Sequence, residues 1–332
     1  MPVLWCSWPI AIPLFGCLID FVVGDPWHWL HPVQVMGWAI QRYQTWVFKT
    51  MASAWRQRGA GILLGIGLPL VSGAIAVGLV RLAQSIHPLL GGAIAAIIFA
   101  SCLAARSLRR AAEEVLQPLA DGDLSTARTR LALYVGRDTD QLSEAAVLRA
   151  VMETISENAT DGVMAPLFYG LWGFAIAPAW GVGAAIAYKA LSTLDSMIGY
   201  QTAPYQDLGW FSARSEDAVT WLPCRLTVVT IALLSGQPRR VWQLCCRDAV
   251  ADPSPNAGWS ECAYAAALGV QLGGLNTYRG EVKRKPLLAE SLRPITPGVI
   301  QQGLQLTRWA VWSWLLVGGI LLGGRYTFIG CP

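Results

Sequence analysis

Charge is scarce in this sequence. Of its 332 residues only 14% are Asp, Glu, Lys or Arg, while 54% are hydrophobic; an ordinary soluble domain carries about 25% charged residues. Histidine is rarer still, and three of them give little support for a zinc centre. The eight cysteines include no C-x-x-C pair, and Cys245 and Cys246 are adjacent, a spacing that rarely closes a relaxed disulfide. Most of them read as small apolar filler. Neither G-x-x-x-x-G-K-[ST] nor G-x-G-x-x-G occurs, so any nucleotide must use a non-standard site. No Ser-His-Asp or Cys-His arrangement is legible. Internal repeats and low-complexity runs are absent, which argues against a solenoid or an inverted-repeat transporter. Basic residues sit at span ends, where topology explains them, so nucleic-acid binding is not indicated.

Long apolar runs are what the chain has instead. Candidate membrane spans are Val3 to Val23, Ile62 to Val80, Pro88 to Ala105, Val163 to Tyr188, Ala218 to Ser235 and Trp309 to Gly324. The first has no Lys or Arg before it and no clear cleavage site before Asp20, so it reads as a retained span. Val163 to Tyr188 contains no charged residue and is a weak candidate span, since Pro166 and Pro178 could break it into a dip-and-return hairpin. The expected fold is all-α, a polytopic integral membrane protein with roughly five to six transmembrane helices plus polar helical connectors. The whole chain, 1–332, is expected to form a single membrane-embedded domain, multi-pass in the cell membrane. Tryptophans gather near span ends (Trp5, Trp8, Trp27, Trp29, Trp309, Trp312, Trp314), as in an interfacial belt. Trp38 to Trp55 reads as an interfacial helix.

The net charge is +4, and its distribution sets topology. Arg42, Lys49, Arg56 and Arg58 follow the first span, Arg106, Arg109 and Arg110 the third, and Arg239, Arg240, Arg247, Lys283, Arg284 and Lys285 the fifth. The positive-inside rule makes all three regions cytoplasmic, and six spans with the N-terminus outside satisfy all three placements. That path leaves Lys189 to Asp217 outside, unless Val163 to Tyr188 re-enters.

Polar chemistry concentrates in two connectors, a helical segment 106–162 bearing carboxylates and a loop-helix segment 236–305. In the first, Glu153, Glu157 and Asp161 recur every four residues, with Ser156 and Asn158 as neighbours. On a helix this stacks three like charges on one face, where they repel unless a cation balances them. Mg²⁺ carrying phosphates fits such a face; the plainer reading is a solvated acidic surface. Asp138, Thr139 and Asp140 offer an N-cap for that helix. Gly136-Arg137-Asp138-Thr139 would then be a helix N-terminus suited to phosphate, or simply a cap beside a surface arginine. Near the first span's exit, Asp20, Asp25, His28 and His31 suit a divalent cation or a proton shuttle; as loop punctuation, Asp25-Pro26 and His31-Pro32 need no such role. Arg225, beside Pro223 inside an apolar run, is costly there and is expected to face a partner or substrate.

Taken together these blocks resemble the adenosylcobinamide-phosphate synthase family of cobalamin biosynthesis, over nearly the whole chain. The resemblance is carried by Gly24-Asp25-Pro26 with His31-Pro32-Val33 and Met36-Gly37, by Val135-Gly136-Arg137-Asp138-Thr139, and by Glu153 through Glu157-Asn158 to Asp161-Gly162 with Ala165-Pro166-Leu167. It continues in Thr193-Leu194-Asp195-Ser196-Met197 with Gly199-Tyr200, in Pro223 and Arg225-Leu226-Thr227, and in Ser254-Pro255-Asn256-Ala257-Gly258 with Gly273-Gly274. Ser192 stands where the family usually shows Asn, and Ser215-Glu216-Asp217 where paired aspartates are typical.

The resemblance implies a ligase that forms a carbon–nitrogen bond. It would attach (R)-1-amino-2-propanol, or its O-phosphate, to a propionate of adenosylcobyric acid, a cobalt corrinoid, using ATP and Mg²⁺. Glu153, Glu157 and Asp161 would handle the metal, with Asp25 and His31 as further candidates. Arg137, Lys189 and Arg225 would contact phosphates or the propionate, and Asp195 or Asp217 would take the amine's proton, with His28 or His31 in reserve. Asp138, Asn158, Arg214, Ser254, Asn256 and Gly258 are the remaining substrate-binding candidates, and Trp259 to Tyr278 the surface for the corrinoid. Partners would be these substrates, the lipid bilayer and other cobalamin-biosynthesis enzymes; no oligomeric state is implied. The competing readings are a transporter of a corrinoid or organic anion, and a membrane scaffold.

Overall fold

In lipid a backbone must satisfy its own hydrogen bonds, so the long apolar runs become helices. The structure, a computed structural model, describes residues 3–24 and 31–329, with side chains for 10–24 and 31–323. In chain order come α1 (Val3–Val22), α2 (Pro32–Thr50), α3 (Ala54–Ile86), α4 (Pro88–Ala100), α5 (Ala105–Ala120), α6 (Leu124–Leu131) and α7 (Glu144–Ala159). A π-helical turn (Thr160–Met164) leads to α8 (Ala165–Phe174), α9 (Pro178–Ile198), α10 (Trp210–Leu234), α11 (Pro238–Asp248) and α12 (Ala257–Leu268). A hairpin of β1 (Leu272–Tyr278) and β2 (Glu281–Leu288) precedes α13 (Pro297–Ile329).

Among the described residues four helical stretches are long and apolar enough to cross a membrane: Ala54–Ile86, Pro88–Ala120, Trp210–Leu234 and Pro297–Gly323; Ile10–Val22 is a shorter apolar helix. This is a helical membrane protein. The second stretch bends at 101–104, between α4 and α5. Val163 to Tyr188 is not one span: the helix stops at Phe174 and restarts at Pro178, whose ring lacks the N–H needed to continue.

The chain gathers into two compact units. One comprises the described residues of Met1–Ala104, Ala165–Thr220 and Trp314–Pro332. Here α9 packs against α3 and α8. Small residues allow the approach: a Cβ on Gly73 would lie 3.0 Å from Gly183 O, and one on Gly173 would collide with the Trp180 carbonyl. Ile40 and Val47 of α2 join Leu64, Leu194, Ile198 and Leu208 in the core.

The other unit comprises Ala105–Met164 and Trp221–Ser313, so both polar connectors fold together. Amphipathic α5 buries Leu108, Ala112, Val115 and Leu116 and packs on α6 and α7, while α12 packs on α7, α11 and the hairpin. The hairpin is an addition to the all-α expectation. Its antiparallel register runs from Leu272↔Leu288 to Tyr278↔Glu281, with an irregularity between Leu272 and Gly274. Arg279 and Gly280 both have positive φ, 52° and 80°, as a two-residue primed turn requires.

Candidate active site

Helix α7 starts later than expected. Its N-cap is Ser143, whose hydroxyl accepts from Ala146 N at 3.3 Å, so Asp138, Thr139 and Asp140 are not its cap. The Gly136–Thr139 stretch is therefore no helix N-terminus and no dipole-based phosphate site. It runs beside β1, with Asp138 N donating to Thr277 O at 2.8 Å. The Asp138 carboxylate accepts from Arg279 N (3.0 Å) and Gly280 N (2.8 Å), holding the hairpin turn.

This placement delivers Arg137 to α7. Its guanidinium meets Glu153 Oε2 at 2.5 Å and Asn276 Oδ1 at 2.9 Å, and both members of the ion pair are buried. Glu153 Oε1 accepts from Gly273 N at 2.9 Å. Gly273 has φ +85° and no room for a Cβ against the Pro286 carbonyl, so glycine is required there. Arg149, one turn before Glu153, donates to the Gly273 and Leu275 carbonyls and to Asn276 Oδ1. Glu153 thus ties α7 to β1 and already has its cations.

Glu157, one turn further, faces Lys285 and Asp252 within electrostatic reach, and burial raises its carboxyl above the ordinary range despite Lys285. Asp161 lies in the π-helical turn, where the winding changes and a four-residue spacing no longer keeps one face. Among the described residues no three His, Cys, Asp or Glu side chains converge to hold a metal ion. The expected trio is therefore not a self-contained Mg²⁺ cage. Asn158 is exposed and donates to Thr154 O at 2.9 Å.

Across from α7, Glu261 is fully buried on α12 and accepts from Lys285 Nζ at 3.0 Å. Burial pushes Glu261 up to about 8, against the pull of Lys285. For Lys285, burial alone would lower the ammonium, but Glu261 and Glu157 overturn that and hold it above its ordinary value. Ser260 bridges the same helices, sharing a hydrogen bond with Thr160 (2.7 Å) and donating to Ser156 O.

The Ser254–Gly258 turn opens α12. Ser254 Oγ accepts from Asn256 N (3.3 Å) and Ala257 N (3.1 Å), doing the capping that Asn256 does not. A Cβ on Gly258 would strike Asp252 and sit 2.9 Å from Ala249 O, so this glycine is set by packing. Arg225 lies over the Trp259 ring at 4.3 Å and the Trp221 ring at 5.2 Å, 3.4 Å from Asn256 Oδ1.

The remaining candidates belong to the first unit. There Glu216 is buried in α10, accepting from Thr220 Oγ1 at 2.5 Å and from Tyr188 OH at 3.3 Å. Asp195 and Asp217 lie within electrostatic reach of Glu216, and Arg214 is exposed on the same helix. Lys189 stands on α9, half-buried. His31 caps α2, its Nδ1 accepting from Val33 N at 3.2 Å. Asp25 and His28 lie outside the described residues.

Residues 13–307 match the family described as CobD/Cbib protein. The chain belongs to the CobD/CbiB family. It is 49% identical over 315 residues to a Synechocystis protein named cobalamin biosynthesis protein CobD, covering 94% of this chain and 91% of that one. A Salmonella typhi protein named cobalamin biosynthesis protein CbiB is 40% identical over 293 residues (87% and 90%). A Halalkalibacterium halodurans CobD is 39% identical over 313 residues (92% and 94%). No solved structure matches the chain.

For this CobD/CbiB chain, the sequence singled out Arg137, Glu153 and Glu157 of this charged cluster but not Arg149, Asn276 or Glu261, and marked Lys285 only as a topology signal. Glu261 had a legible mark, a lone acid in the small-residue helix Ala257–Leu268. Arg149 and Asn276 had none, because their partners are main-chain atoms and side chains more than a hundred residues away.

Proposed function

We propose that this chain serves cobalamin biosynthesis as an amide-forming enzyme. It joins 1-amino-2-propanol, or its O-phosphate, to a propionate carboxylate of adenosylcobyric acid and consumes ATP. The observation that carries this reading is the mixed-charge cluster of Arg137, Glu153, Glu157, Glu261 and Lys285, in a chain of the CobD/CbiB family. A carboxylate is a poor acyl donor until activated, so such a reaction needs cationic groups for phosphate and carboxylate, and acidic groups for an amine.

Lys285 is the half-buried cation of the cluster, suited to an anionic oxygen, with Arg225 on its tryptophan faces as a second anion contact. Arg137 is taken by Glu153 and acts by fixing the cluster's shape. Asp161 would hold Mg²⁺, which binds through one or two carboxylates together with phosphates. When bound, magnesium neutralises phosphate charge. Trp242 and Trp259, their rings 5.6 Å apart, offer an aromatic surface for a flat corrinoid.

Purified protein incubated with ATP, Mg²⁺, adenosylcobyric acid and either amine should yield the amide, detected by mass. Absence of product from every mixture would sink the reading. Buried Glu216, inside an apolar helix, is the feature that favours the transporter alternative; corrinoid uptake into vesicles without amide formation would support it.

A further inference from the structure

Within the unit of 105–164 and 221–313, Lys285 faces more carboxylates than it can balance. Its ammonium contacts Glu261, and Glu157 and Asp252 lie within electrostatic reach. Arg137 and Arg149 do not make up the difference, being engaged with Glu153, Asn276 and the carbonyls of β1. Glu261 is 0% exposed, and its Oε2 has no hydrogen-bond partner among the described residues. A buried carboxylate oxygen left in that condition is costly, and a donor from a ligand would remove the cost.

We propose that Glu261, with Glu157 beside it, receives the primary ammonium of an amino-alcohol. This rests on the amide-forming reading and names where its amine binds. A divalent cation fits less well: no three acidic or imidazole groups converge among the described residues, and the Lys285 ammonium would repel two charges more than one. Glu261 Oε1 already accepts from a primary ammonium, that of Lys285. Its second oxygen is left without such a donor among the described residues.

Calorimetric titration of the full-length protein in detergent, at a pH just above the Glu261 value of about 8 so that its carboxylate is ionised, tests this without ATP or corrinoid. 1-Amino-2-propanol should bind, and 1,2-propanediol, lacking the amine, should bind about tenfold or more weakly, as loss of a charge-assisted hydrogen bond implies. Glu261→Gln should weaken amine binding by a similar factor, while exposed Glu144→Gln leaves it unchanged. Should Glu261→Gln fail to fold, the less buried Glu157→Gln carries the test, with weaker amine binding expected. The proposal is overturned if no amine binds, if amine and diol bind alike, if the variants match wild type, or if Mg²⁺ competes with the amine. A wild type that binds amine yet makes no amide sinks the functional reading and leaves this one. Amide formation with an unchanged amine KM in the variants does the reverse.

Discussion

Glu153 uses both carboxylate oxygens inside the protein, one on Arg137 and one on Gly273 N. Breaking a buried ion pair by removing one partner strands the other charge, at roughly 3–5 kcal/mol, whereas replacing both partners by apolar groups is often near neutral. Glu153→Ala should therefore lower the melting temperature strongly, and the double variant Arg137→Met/Glu153→Met should recover much of the loss. Equal destabilisation in both would mean that the Gly273 contact, not the ion pair, holds the cluster. Glu261 makes a different prediction. Its folded value of about 8 lies above the ordinary Glu range of about 4.3, so folding takes up a proton between those limits. Stability contributed by that proton is complete at low pH and is lost as pH rises through about 8. Thermal unfolding across this window should show the wild type weakening as pH rises, and Glu261→Gln should flatten the slope; an unchanged slope would assign the titration elsewhere.

At the scale of elements, α8 and α9 meet through glycines whose neighbours differ in kind. Gly173 faces the Trp180 carbonyl and Gly181 the Phe174 ring. A ring can turn aside and a helix backbone cannot, so Gly173→Ala should reduce folded yield more than Gly181→Ala, read from monodisperse protein on gel filtration. The hairpin turn hangs on Asp138; Asp138→Ala should speed tryptic cleavage after Arg279 with little change in melting temperature. The same elements explain what sequence could and could not tell. Helices were legible because apolar runs demand internally bonded backbone, and the break at Pro178 because proline removes a donor. The hairpin was not. Glu281 to Lys285 is polar and mostly exposed, so no alternating pattern marks it, and it is held by Asp138, Arg149 and Glu153 from distant sequence. The late start of α7 was hidden because Asp138 and Ser143 are equally good caps, and only the pull of Arg279 N and Gly280 N on Asp138 decides between them.

For the whole molecule, the folding of both polar connectors into one unit constrains the path through the bilayer. Polar segments 121–164 and 236–296 fold within that unit and hold no candidate span; for both to lie on one side, an even number of crossings must separate them. α10 supplies one. Another must come from 165–209. α8, with 10 residues rising about 1.5 Å each, falls far short of a hydrocarbon core of about 30 Å. α9, with 21 residues, has the length, although Lys189 and Asp195 leave it less apolar than the four stretches above. Epitope tags in the exposed turns at Gly122 and Ser291 should then be accessible from the same side in intact cells, and a tag at Gln206 from the other. Tags at Gly122 and Ser291 on opposite sides would mean that 165–209 does not cross and that α10 crosses alone. A tag at Gln206 on their side would mean that α10 does not cross, and would bring Asp195, Asp217 and Lys189 to the side of the polar connectors. The opposite-side result would separate those residues from the connector carboxylates, and the proposed reaction would then have to pass the amine's proton to groups of the connector unit, where Glu261 and Glu157 face Lys285.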